Sequence, residues 1–434
     1  MARVYLVAGL AFGDEGKGSI TDYLTRSTGA KVVVRYNGGA NAGHNVVLPD
    51  GTHHCFSQFG SGSFVPGVET HLSRHMLVNP IFMVSEADHL IHLGQTDIWN
   101  RMSVDREALV TNPFQVAANR LREIYRGDGR HGSCGMGIGE TMQDSLAAPE
   151  DALRVGDLLN RELTEKKLRV SQERKLAEAK SIPWAGDTSR STRADVEWVI
   201  LQDRTFPHEL ANGLYQDWVN KVRLTTREYI TWVTNEPGVV IFEGAQGVLL
   251  DENFGFHPHT TWSTTTFQNA YDLLQEHSDE QTRVGVLRSY MTRHGAGPFA
   301  TEDPGVRFEG EHNIYGEWQE GFRAGHLDLM MVHYALETLG GVDLLALTHM
   351  DKVQDYWKVC RTYGDPDLEA MMVRPDKNID LDRQAKIGKA LQEAEPYYQT
   401  LDRQEVLSHL QSRRSPNLLY SYGPTFQDKT LHAR

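Results

Sequence analysis

The feature that most constrains the fold is a glycine-rich loop near the start of the chain, between an apolar run and a segment of helical spacing. The stretch is VYLVAGLAFGDEGKGSITDYL, residues 4–24. Glycines and a lysine between a strand and a helix are typical of phosphate binding, because backbone N–H groups and a helix N-terminus favour an anion. Phosphate loops are seldom acidic, so Asp14 and Glu15 need a separate explanation.

Further apolar runs predict buried strands, and most of them end in Gly, Asp or Thr. This pattern is typical of largely parallel strands with functional residues at their carboxyl ends. The predicted strands are 4–9, 31–36, 238–244, 283–291, 342–351, 357–363 and 417–423, and the predicted helices are about 16–27, 105–126, 194–234, 326–339 and 381–412. The predicted class is α/β with a mostly parallel central sheet and helical insertions.

The chain has 434 residues and is expected to form one large domain, 1–434. It contains a mainly helical excursion at about 150–235. That excursion carries charged runs such as RELTEKKLRVSQERKLAEAK, which usually face water. The sequence shows no internal repeat, low-complexity tract or long Pro/Gly/Ser linker that would separate modules.

Charge and composition exclude several classes of protein. The formal net charge is −14, so sequence-independent binding to nucleic acid or to an anionic membrane is not expected. Cys55, Cys134 and Cys360 are far apart and form no CxxC pair, which indicates a reducing compartment. No apolar stretch approaches the ~18 residues of a membrane helix. With no signal-peptide pattern, a cytoplasmic protein is expected.

The first loop departs from the standard phosphate-loop pattern GxxxxGK[ST] at both ends. Gly18 follows Gly16 and Lys17, and Ala11 stands where the first glycine is expected. Gly13, Gly16 and Gly18 still allow close backbone approach, and Lys17 supplies a positive charge. A carboxylate in such a loop can hold Mg²⁺ or take a proton, but it does not bind phosphate directly.

A second glycine-rich loop, RYNGGANAGHNVV at 35–47, follows the second predicted strand and contains Asn41 and His44. A histidine there can act as a general acid or as an electrostatic partner near neutral pH. A lone histidine is more often structural, so this motif alone leaves both roles open.

Nine motifs together resemble those of the adenylosuccinate synthetase family. They occur in the same order, at similar separations and over essentially the whole chain. They are GDEGKG (13–18), GGANAGH (38–44), SGSF (61–64), GSCGMGIG (132–139), FEGAQGVLLD (242–251), TRHGAGPFATE (292–302), RAGHLD (323–328), THMD (348–351) and SYGP (421–424).

The resemblance implies a homodimeric enzyme, related to P-loop proteins, that condenses IMP with L-aspartate at the expense of GTP. The purine 6-oxygen is first phosphorylated, and the amine then displaces phosphate. Asp14 resembles the family's base, which takes the N1 proton and ligates Mg²⁺, and Gly43 resembles a backbone-carbonyl ligand of that ion. His44 resembles the acid that stabilises the transferring phosphoryl group. The acidic loop is then explained, because a lactam oxygen is a poor nucleophile until N1 loses its proton.

The resemblance also implies three sets of ligand contacts. Asp351 follows a predicted strand, where a carboxylate can accept from both guanine N1–H and the 2-amino group. The expected catalytic residues are Asp14, Lys17, His44 and Gln246; the expected GTP contacts are Gly13, Glu15, Gly16, Lys17, Gly18, Gly43, His44, Asn45, Arg323, His349, Asp351, Ser421 and Gly423; the expected purine monophosphate contacts are Asp14, Asn41, Ser133, Cys134, Gln246 and Thr261.

The amino-acid loop departs from the family pattern. The family has several consecutive arginines where this chain, at 313–323, keeps only Arg323 and has Glu317, Gln319 and Glu320. Arginines grip a dicarboxylate bidentately, and each lost charge-assisted contact costs about 1.5–3 kcal/mol. Weaker binding of aspartate is therefore expected.

Other departures affect nucleotide recognition. Ala147 and Ala148 stand where the family has an arginine that reaches the neighbouring subunit's nucleotide. His349 replaces a lysine of the guanine site, and Cys134 replaces a threonine of the IMP site.

Three hypotheses follow. The first is an adenylosuccinate synthetase with an unusual aspartate loop. The second is a paralogue that uses GMP or dGMP, or another amine; the phage-type 2-aminoadenylosuccinate synthetases carry serine in place of the loop acid, so Asp14 argues against this. The third is a GTP-binding regulatory protein without ligase activity, which the retained Asp14 and His44 disfavour.

Overall fold

The computed structural model describes residues 1–127, 132–183, 191–275, 280–308, 315–316, 318, 320–353, 355–373, 378–411 and 417–432. Within them, no helix has both the length and the apolar character needed to cross a bilayer. Of the rewritten amino-acid loop, Glu317 and Gln319 lie outside the described residues.

Strands and helices alternate along much of the chain. The described strands are β1 (Arg3–Gly9), β2 (Val32–Arg35), β3 (His44–Val47), β4 (His53–Phe56), β5 (Glu69–Leu72), β6 (Leu77–Val78), β7 (Met102–Asp105), β8 (Leu109–Val110), β9 (Arg223–Thr225), β10 (Val239–Gly247), β11 (Gln281–Arg288), β12 (Met291–His294), β13 (Tyr315–Gly316), β14 (Glu320–Gly325), β15 (Leu327–Asp328), β16 (Leu344–Thr348), β17 (Tyr356–Thr362), β18 (Tyr397–Asp402), β19 (Asn417–Ser421) and β20 (Lys429–His432). The described helices are α1 (Lys17–Thr28), α2 (Pro80–His92), α3 (Pro113–Arg126), α4 (Ile138–Ala147), α5 (Arg161–Ser181), α6 (Ser191–Gln202), α7 (Phe206–Asn212), α8 (Leu214–Val219), α9 (Glu228–Asn235), α10 (Gln268–Leu274), α11 (Leu329–Thr338), α12 (Pro366–Val373), α13 (Leu381–Glu393) and α14 (Arg403–Gln411).

Ten of the described strands form one sheet, in the order β20-β19-β16-β11-β1-β10-β2-β5-β7-β9. Neighbouring strands are parallel, except that β20 pairs antiparallel with β19 at one edge. Val4, Leu6 and Val7 of the central strand β1 are fully buried. A parallel sheet covered on both faces requires such continuous apolar runs. The predicted α/β class with a mostly parallel sheet is confirmed.

Two predicted elements take a different form. The predicted strand at 357–363 does not join the central sheet, because β17 pairs with β15 and, antiparallel, with β18 in a separate sheet. The predicted helix at 105–126 begins only at Pro113, where Asn112 accepts hydrogen bonds from the first-turn N–H groups. A proline at the first helical position is favourable, since its missing N–H is unneeded there.

The two long predicted helices are interrupted. Residues 194–234 include most of α6, all of α7 and α8, the edge strand β9 and most of α9. Pro207 lies in the first turn of α7, and Gly213 follows the last residue of α7. Residues 381–412 contain α13, β18 and α14, and Pro396 lies between the first two. The residue before a proline disfavours helical geometry, which accounts for this break.

The charged run of the excursion forms α5, and one of its faces is buried. Lys175 is fully buried, with its Nζ 2.8 Å from carboxylate oxygens of both Glu140 and Asp144. The expectation that this run faces water is therefore wrong for that face. The single-domain organisation, with an excursion at about 150–235, stays a prediction.

The sheet order brings five strand ends together. The carboxyl ends of the adjacent strands β19, β16, β11, β1 and β10 lie at one edge of the sheet. Ligands of open α/β sheets bind outside these ends. The loop between β1 and α1 lies at this edge.

Candidate active site

The loop between β1 and α1 is folded around Glu15. Its carboxylate accepts hydrogen bonds from the N–H groups of Ala11 (3.0 Å) and Gly13 (2.9 Å) and contacts Lys17 Nζ at 2.5 Å. Glu15 is 1% exposed, so its side chain does not reach a ligand. One of the two loop carboxylates therefore holds the loop together.

A cavity of about 370 Å³ opens at the carboxyl ends of β11, β16 and β19, beside this loop. The structure brings most of the expected GTP contacts to its wall. They are Gly16, Lys17, Gly18, Gly43, His44, Asn45, His349, Asp351, Ser421 and Gly423. Sequence reasoning did not assign a role to Ser19, Arg288, Thr348 or Lys352, which also line it.

Three expected GTP contacts do not line this cavity. Gly13 and Glu15 are buried, and the Gly13 N–H donates a hydrogen bond to the Glu15 carboxylate. The Arg323 guanidinium contacts a Glu302 oxygen at 2.5 Å and donates to the carbonyl oxygens of Gly295 and Gly297, both at 3.0 Å. Arg323 therefore holds the turn after β12, and its expected contact with GTP stays a prediction.

A second, larger cavity of about 710 Å³ is lined by five of the expected purine monophosphate contacts: Asn41, Ser133, Cys134, Gln246 and Thr261. Asn41 Oδ1 and Gln246 Oε1 are buried and have no hydrogen-bond partner among the described residues. These two acceptor oxygens are therefore available to the hydrogen-bond donors of a ligand in this cavity.

Asp14 and His294 meet at the boundary between the cavities. Asp14 lines the smaller cavity and His294 the larger one, and His294 Nε2 is 3.1 Å from Asp14 Oδ2. Burial alone would raise the pKa of Asp14, but the hydrogen bond and charge of His294, with the charges of Arg288 and Lys17, lower it to about 2. An ionised carboxylate therefore lies where both ligands would come close.

His44 is paired with a carboxylate that sequence reasoning did not assign. Its Nδ1 is 2.7 Å from Glu243 Oε1, and Glu243 also accepts from the N–H (3.0 Å) and hydroxyl of Ser61. Burial would raise the pKa of Glu243, but the charges of His44 and Arg35 and these hydrogen bonds lower it to about 2. Since an ionised carboxylate only accepts, His44 Nδ1 carries a proton, and its Nε2 is left for a ligand.

The wall of the smaller cavity contains the expected guanine contacts. Asp351 Oδ2 is 3.3 Å from Lys352 Nζ, and Ser421 Oγ donates to the Gly423 carbonyl oxygen at 3.1 Å. His349, which stands in place of the family's lysine, is half-buried, and the loss of solvent around its ring lowers its pKa well below the usual value. A neutral imidazole, unlike a lysine, brings no positive charge to this wall.

Four residues to which sequence reasoning assigned no role stand at two kinds of recognisable position. Glu243 and His294 stand within the motifs FEGAQG and TRHGAG, and Arg288 and Thr348 are the last residues of β11 and β16. The signal that could have found the latter two is their position at the carboxyl end of a buried strand.

Left-handed backbone marks the same region. Asp14 and His349 line the smaller cavity and Gln246 lines the larger one. Their backbone φ angles are 59° for Asp14, 58° for His349 and 58° for Gln246. Non-glycine residues adopt this conformation at a cost of order 1–3 kcal/mol, and such strain clusters at functional sites.

Together, the parallel sheet, the glycine-rich loop and the carboxylate between two cavities define an α/β enzyme that brings a phosphate-bearing ligand to a second substrate. Comparison with known proteins gives the family. The family's sequence model, Adenylosuccinate synthetase, matches residues 6–414, and the chain belongs to this family of ligases.

Relatives and solved structures agree with this assignment. The chain is 31% identical over 365 residues to the adenylosuccinate synthetase of Chlorobium chlorochromatii, covering 82% of this chain and 79% of the relative. It is 33% identical over 362 residues to that of Saccharopolyspora erythraea, covering 81% and 78%.

Among solved structures, the fully ligated adenylosuccinate synthetase from Plasmodium falciparum has a TM-score of 0.74 at 20% identity, covering 100% of both chains. The cyanophage S-2L succinoaminodeoxyadenylate synthetase, bound to dGMP and dATP as an energy donor, has a TM-score of 0.53 at 15% identity, covering 100% of this chain and 96% of that one. At these identities the likeness establishes the fold.

Proposed function

We propose that this chain is a GTP-dependent ligase that joins IMP to L-aspartate through a 6-phosphoryl intermediate and yields adenylosuccinate, GDP and phosphate. The observation that carries the proposal is the ionised Asp14 carboxylate at the boundary of the two cavities. The triphosphate would bind in the smaller cavity, and the purine monophosphate would bind in the larger one.

In the first step, Asp14 takes the purine N1 proton. The 6-oxygen then forms a bond to the γ-phosphorus, while the bond from that phosphorus to the β,γ-bridging oxygen breaks and the electron pair leaves with GDP. Lys17 and Arg288, both in the wall of the smaller cavity, supply positive charge for the transferring group. Burial lowers the pKa of His44 and the Glu243 carboxylate opposes that shift, so His44 would donate from Nε2 to the transferring group in its protonated form.

In the second step, the aspartate amine forms a bond to C6, and the bond from C6 to the phosphorylated oxygen breaks. Phosphate leaves with that electron pair and takes up the proton that the amine gives up. Gln246 lies in the wall of the larger cavity with its Oε1 buried and without a partner among the described residues. Its side chain is suited to orient the purine or the incoming amine, since a carboxamide oxygen accepts from N–H groups.

Mg²⁺ is the metal we propose, held by the Asp14 carboxylate and the Gly43 carbonyl. Within the described residues, no group of three or more His, Cys, Asp or Glu side chains could hold a metal. Mg²⁺ commonly takes only one or two carboxylates and completes its shell with water and substrate phosphates, so this sparse donor set fits. When bound, the ion would neutralise charge on the phosphate oxygens.

Three further features belong to this proposal. Asp351 would select guanine over adenine by accepting from N1–H and the 2-amino group. A homodimer is implied by the family resemblance. A cytoplasmic location is expected from composition, and both of these stay predictions.

A second candidate acceptor is GMP or dGMP. It is favoured by the structural likeness to the cyanophage enzyme, which was solved with dGMP. The retained Asp14 favours IMP over this candidate, and family membership together with the ionised Asp14 disfavours the regulatory-protein hypothesis.

The test is an activity panel with purified protein, Mg²⁺, GTP or ATP, an acceptor (IMP, GMP or dGMP) and aspartate or another amine. Phosphate release and product formation are measured, with Asp14→Ala as the control. We expect turnover with GTP, IMP and aspartate. Turnover only with GMP or dGMP would overturn the choice of IMP, and no turnover with any combination despite tight GTP binding would favour a regulatory protein.

A further inference from the structure

His294 is held in a defined place by the strands around it. It is the last residue of β12, and the antiparallel pairing of β12 with β14 sets it opposite Phe322. The two rings pack edge to face, with their centroids 5.1 Å apart. The His294 side chain is only 16% exposed, so the ring has little freedom to leave this position.

The ring makes one polar contact that its packing does not require. Nε2 is 3.1 Å from Asp14 Oδ2, and an ionised carboxylate only accepts, so the imidazole donates from Nε2. The other nitrogen, Nδ1, is buried, and no described residue offers it a hydrogen-bond partner. An apolar ring would pack on Phe322 without leaving such an atom unsatisfied. The hydrogen bond to Asp14 is therefore what a histidine adds at this position.

The loop that carries Asp14 is held by other residues mainly through its backbone. The loop is rich in glycine, with positive φ at Gly13 (94°), Asp14 (59°) and Gly16 (93°). Arg288 Nε donates to the backbone oxygen of Asp14 at 2.5 Å and so holds the peptide. The contact from His294 is to the carboxylate itself, which is the group that must reach the purine.

We propose that His294 is a positioning residue for phosphoryl transfer, which holds the Asp14 carboxylate in the orientation needed to reach the purine. The inference rests on the proposed function, in which Asp14 is the base. Because His294 comes from a strand beside the purine cavity and Asp14 from the loop beside the triphosphate cavity, their hydrogen bond also ties the two halves of the site together.

The first test separates the hydrogen bond from the ring. His294→Gln keeps an N–H donor at nearly the same reach, whereas His294→Phe keeps ring packing on Phe322 and loses the donor. We expect the Phe variant to lose about 10- to 100-fold in kcat, the range for a misplaced catalytic group. Its KM for GTP should stay near the wild-type value, and the Gln variant should recover most of the lost kcat. Equal kcat in the two variants, high or low, would overturn the proposal.

The second test asks whether His294 acts through Asp14, and it does not depend on turnover. Binding of IMP (or GMP, if only GMP binds) is measured by calorimetry for wild type, Asp14→Asn, His294→Phe and the double variant. If His294 works through Asp14, the double variant binds no more weakly than Asp14→Asn alone. Additive losses would overturn the inference.

The two tests also separate the inference from the proposed function. A wild-type enzyme without ligase activity would contradict the function, while the binding cycle would still decide the role of His294. If the Phe variant has a lowered thermal midpoint, His294→Leu, which is smaller and also lacks a donor, replaces it in both experiments.

Discussion

The pair formed by His44 and Glu243 allows a sharp prediction for Glu243→Gln. In the wild type the carboxylate accepts from His44 Nδ1 (2.7 Å) and from both the N–H (3.0 Å) and the hydroxyl of Ser61. Burial lowers the pKa of His44, and the charge and hydrogen bond of Glu243 oppose that shift. A glutamine has one acceptor oxygen and no charge, so Glu243→Gln lowers the pKa of His44 further. Only the protonated imidazole can donate from Nε2 while Nδ1 donates to residue 243, so a smaller protonated fraction weakens the contact with phosphate. A loss of about 1.5 kcal/mol predicts a roughly 10-fold fall in kcat.

The same variant should lose stability. The pKa of Glu243 is about 2 in the folded protein against a usual 4.5. This difference corresponds to roughly 3 kcal/mol of stabilisation at neutral pH. Because the folded pKa is lowered, this contribution is present above pH 4.5 and is lost as the pH falls toward about 2. Glu243→Gln should therefore unfold at lower denaturant at pH 7 and show a smaller decrease in stability on acidification.

Kinetics with saturating substrates and denaturant unfolding of the ligand-free protein measure the two effects. The matched control is Glu86→Gln, because Glu86 is also a buried carboxylate, accepting from the N–H groups of Ser57, Gln58 and Phe59, and lines neither cavity. It should lose stability while kcat stays within about twofold. If the two variants have the same kcat, the reasoning about the His44 charge is refuted.

Three further predictions concern single carboxylates. Asp14→Ala should abolish turnover while calorimetry finds GTP binding within a few-fold of wild type; normal turnover would remove Asp14 from the mechanism. Asp351→Asn should reduce the kcat/KM preference for GTP over ATP, and an unchanged preference would place the base elsewhere. Asp328, whose pKa burial raises from 3.8 to about 6 despite a 2.7 Å hydrogen bond from Tyr363, is stabilising below pH 3.8 and loses that contribution as the pH rises through about 6. Asp328→Asn should therefore unfold at higher denaturant than wild type at pH 8 but not at pH 4, and equal differences at both would contradict this.

The elements around the first loop could be predicted closely because their signals are local. The predicted strand 4–9 corresponds to β1 (Arg3–Gly9), and the predicted helix 16–27 corresponds to α1 (Lys17–Thr28). The long predicted helices were wrong in their bounds, although Pro207, Gly213 and Pro396 mark the breaks, because the charged residues around them fit helix and turn alike. The short strands between His44 and Val110 escaped prediction because two to four residues carry too little periodicity.

The candidate site, like the fold, could be predicted only in part. The sequence predicted roles for Asp14 and His44 through the resemblance of their motifs to those of the family, whereas the glycine-rich loop of His44 alone left its role open. The sequence could not show that Glu15 turns inward to Lys17 while Asp14 faces a cavity, because adjacent carboxylates have the same local pattern. Only the loop's folded path distinguishes them.

By itself, the sequence determined the fold class, the family and most of the residues that line the smaller cavity, because side-chain type and spacing along one strand or loop are read directly from the chain. The tertiary structure alone decided which groups pair. Glu243 reaches His44 across 199 residues, and His294 reaches Asp14 from a hairpin far along the chain. The physical reason is that such pairs, and the pKa values they produce, depend on the order of strands in the sheet and on burial, neither of which is a local property.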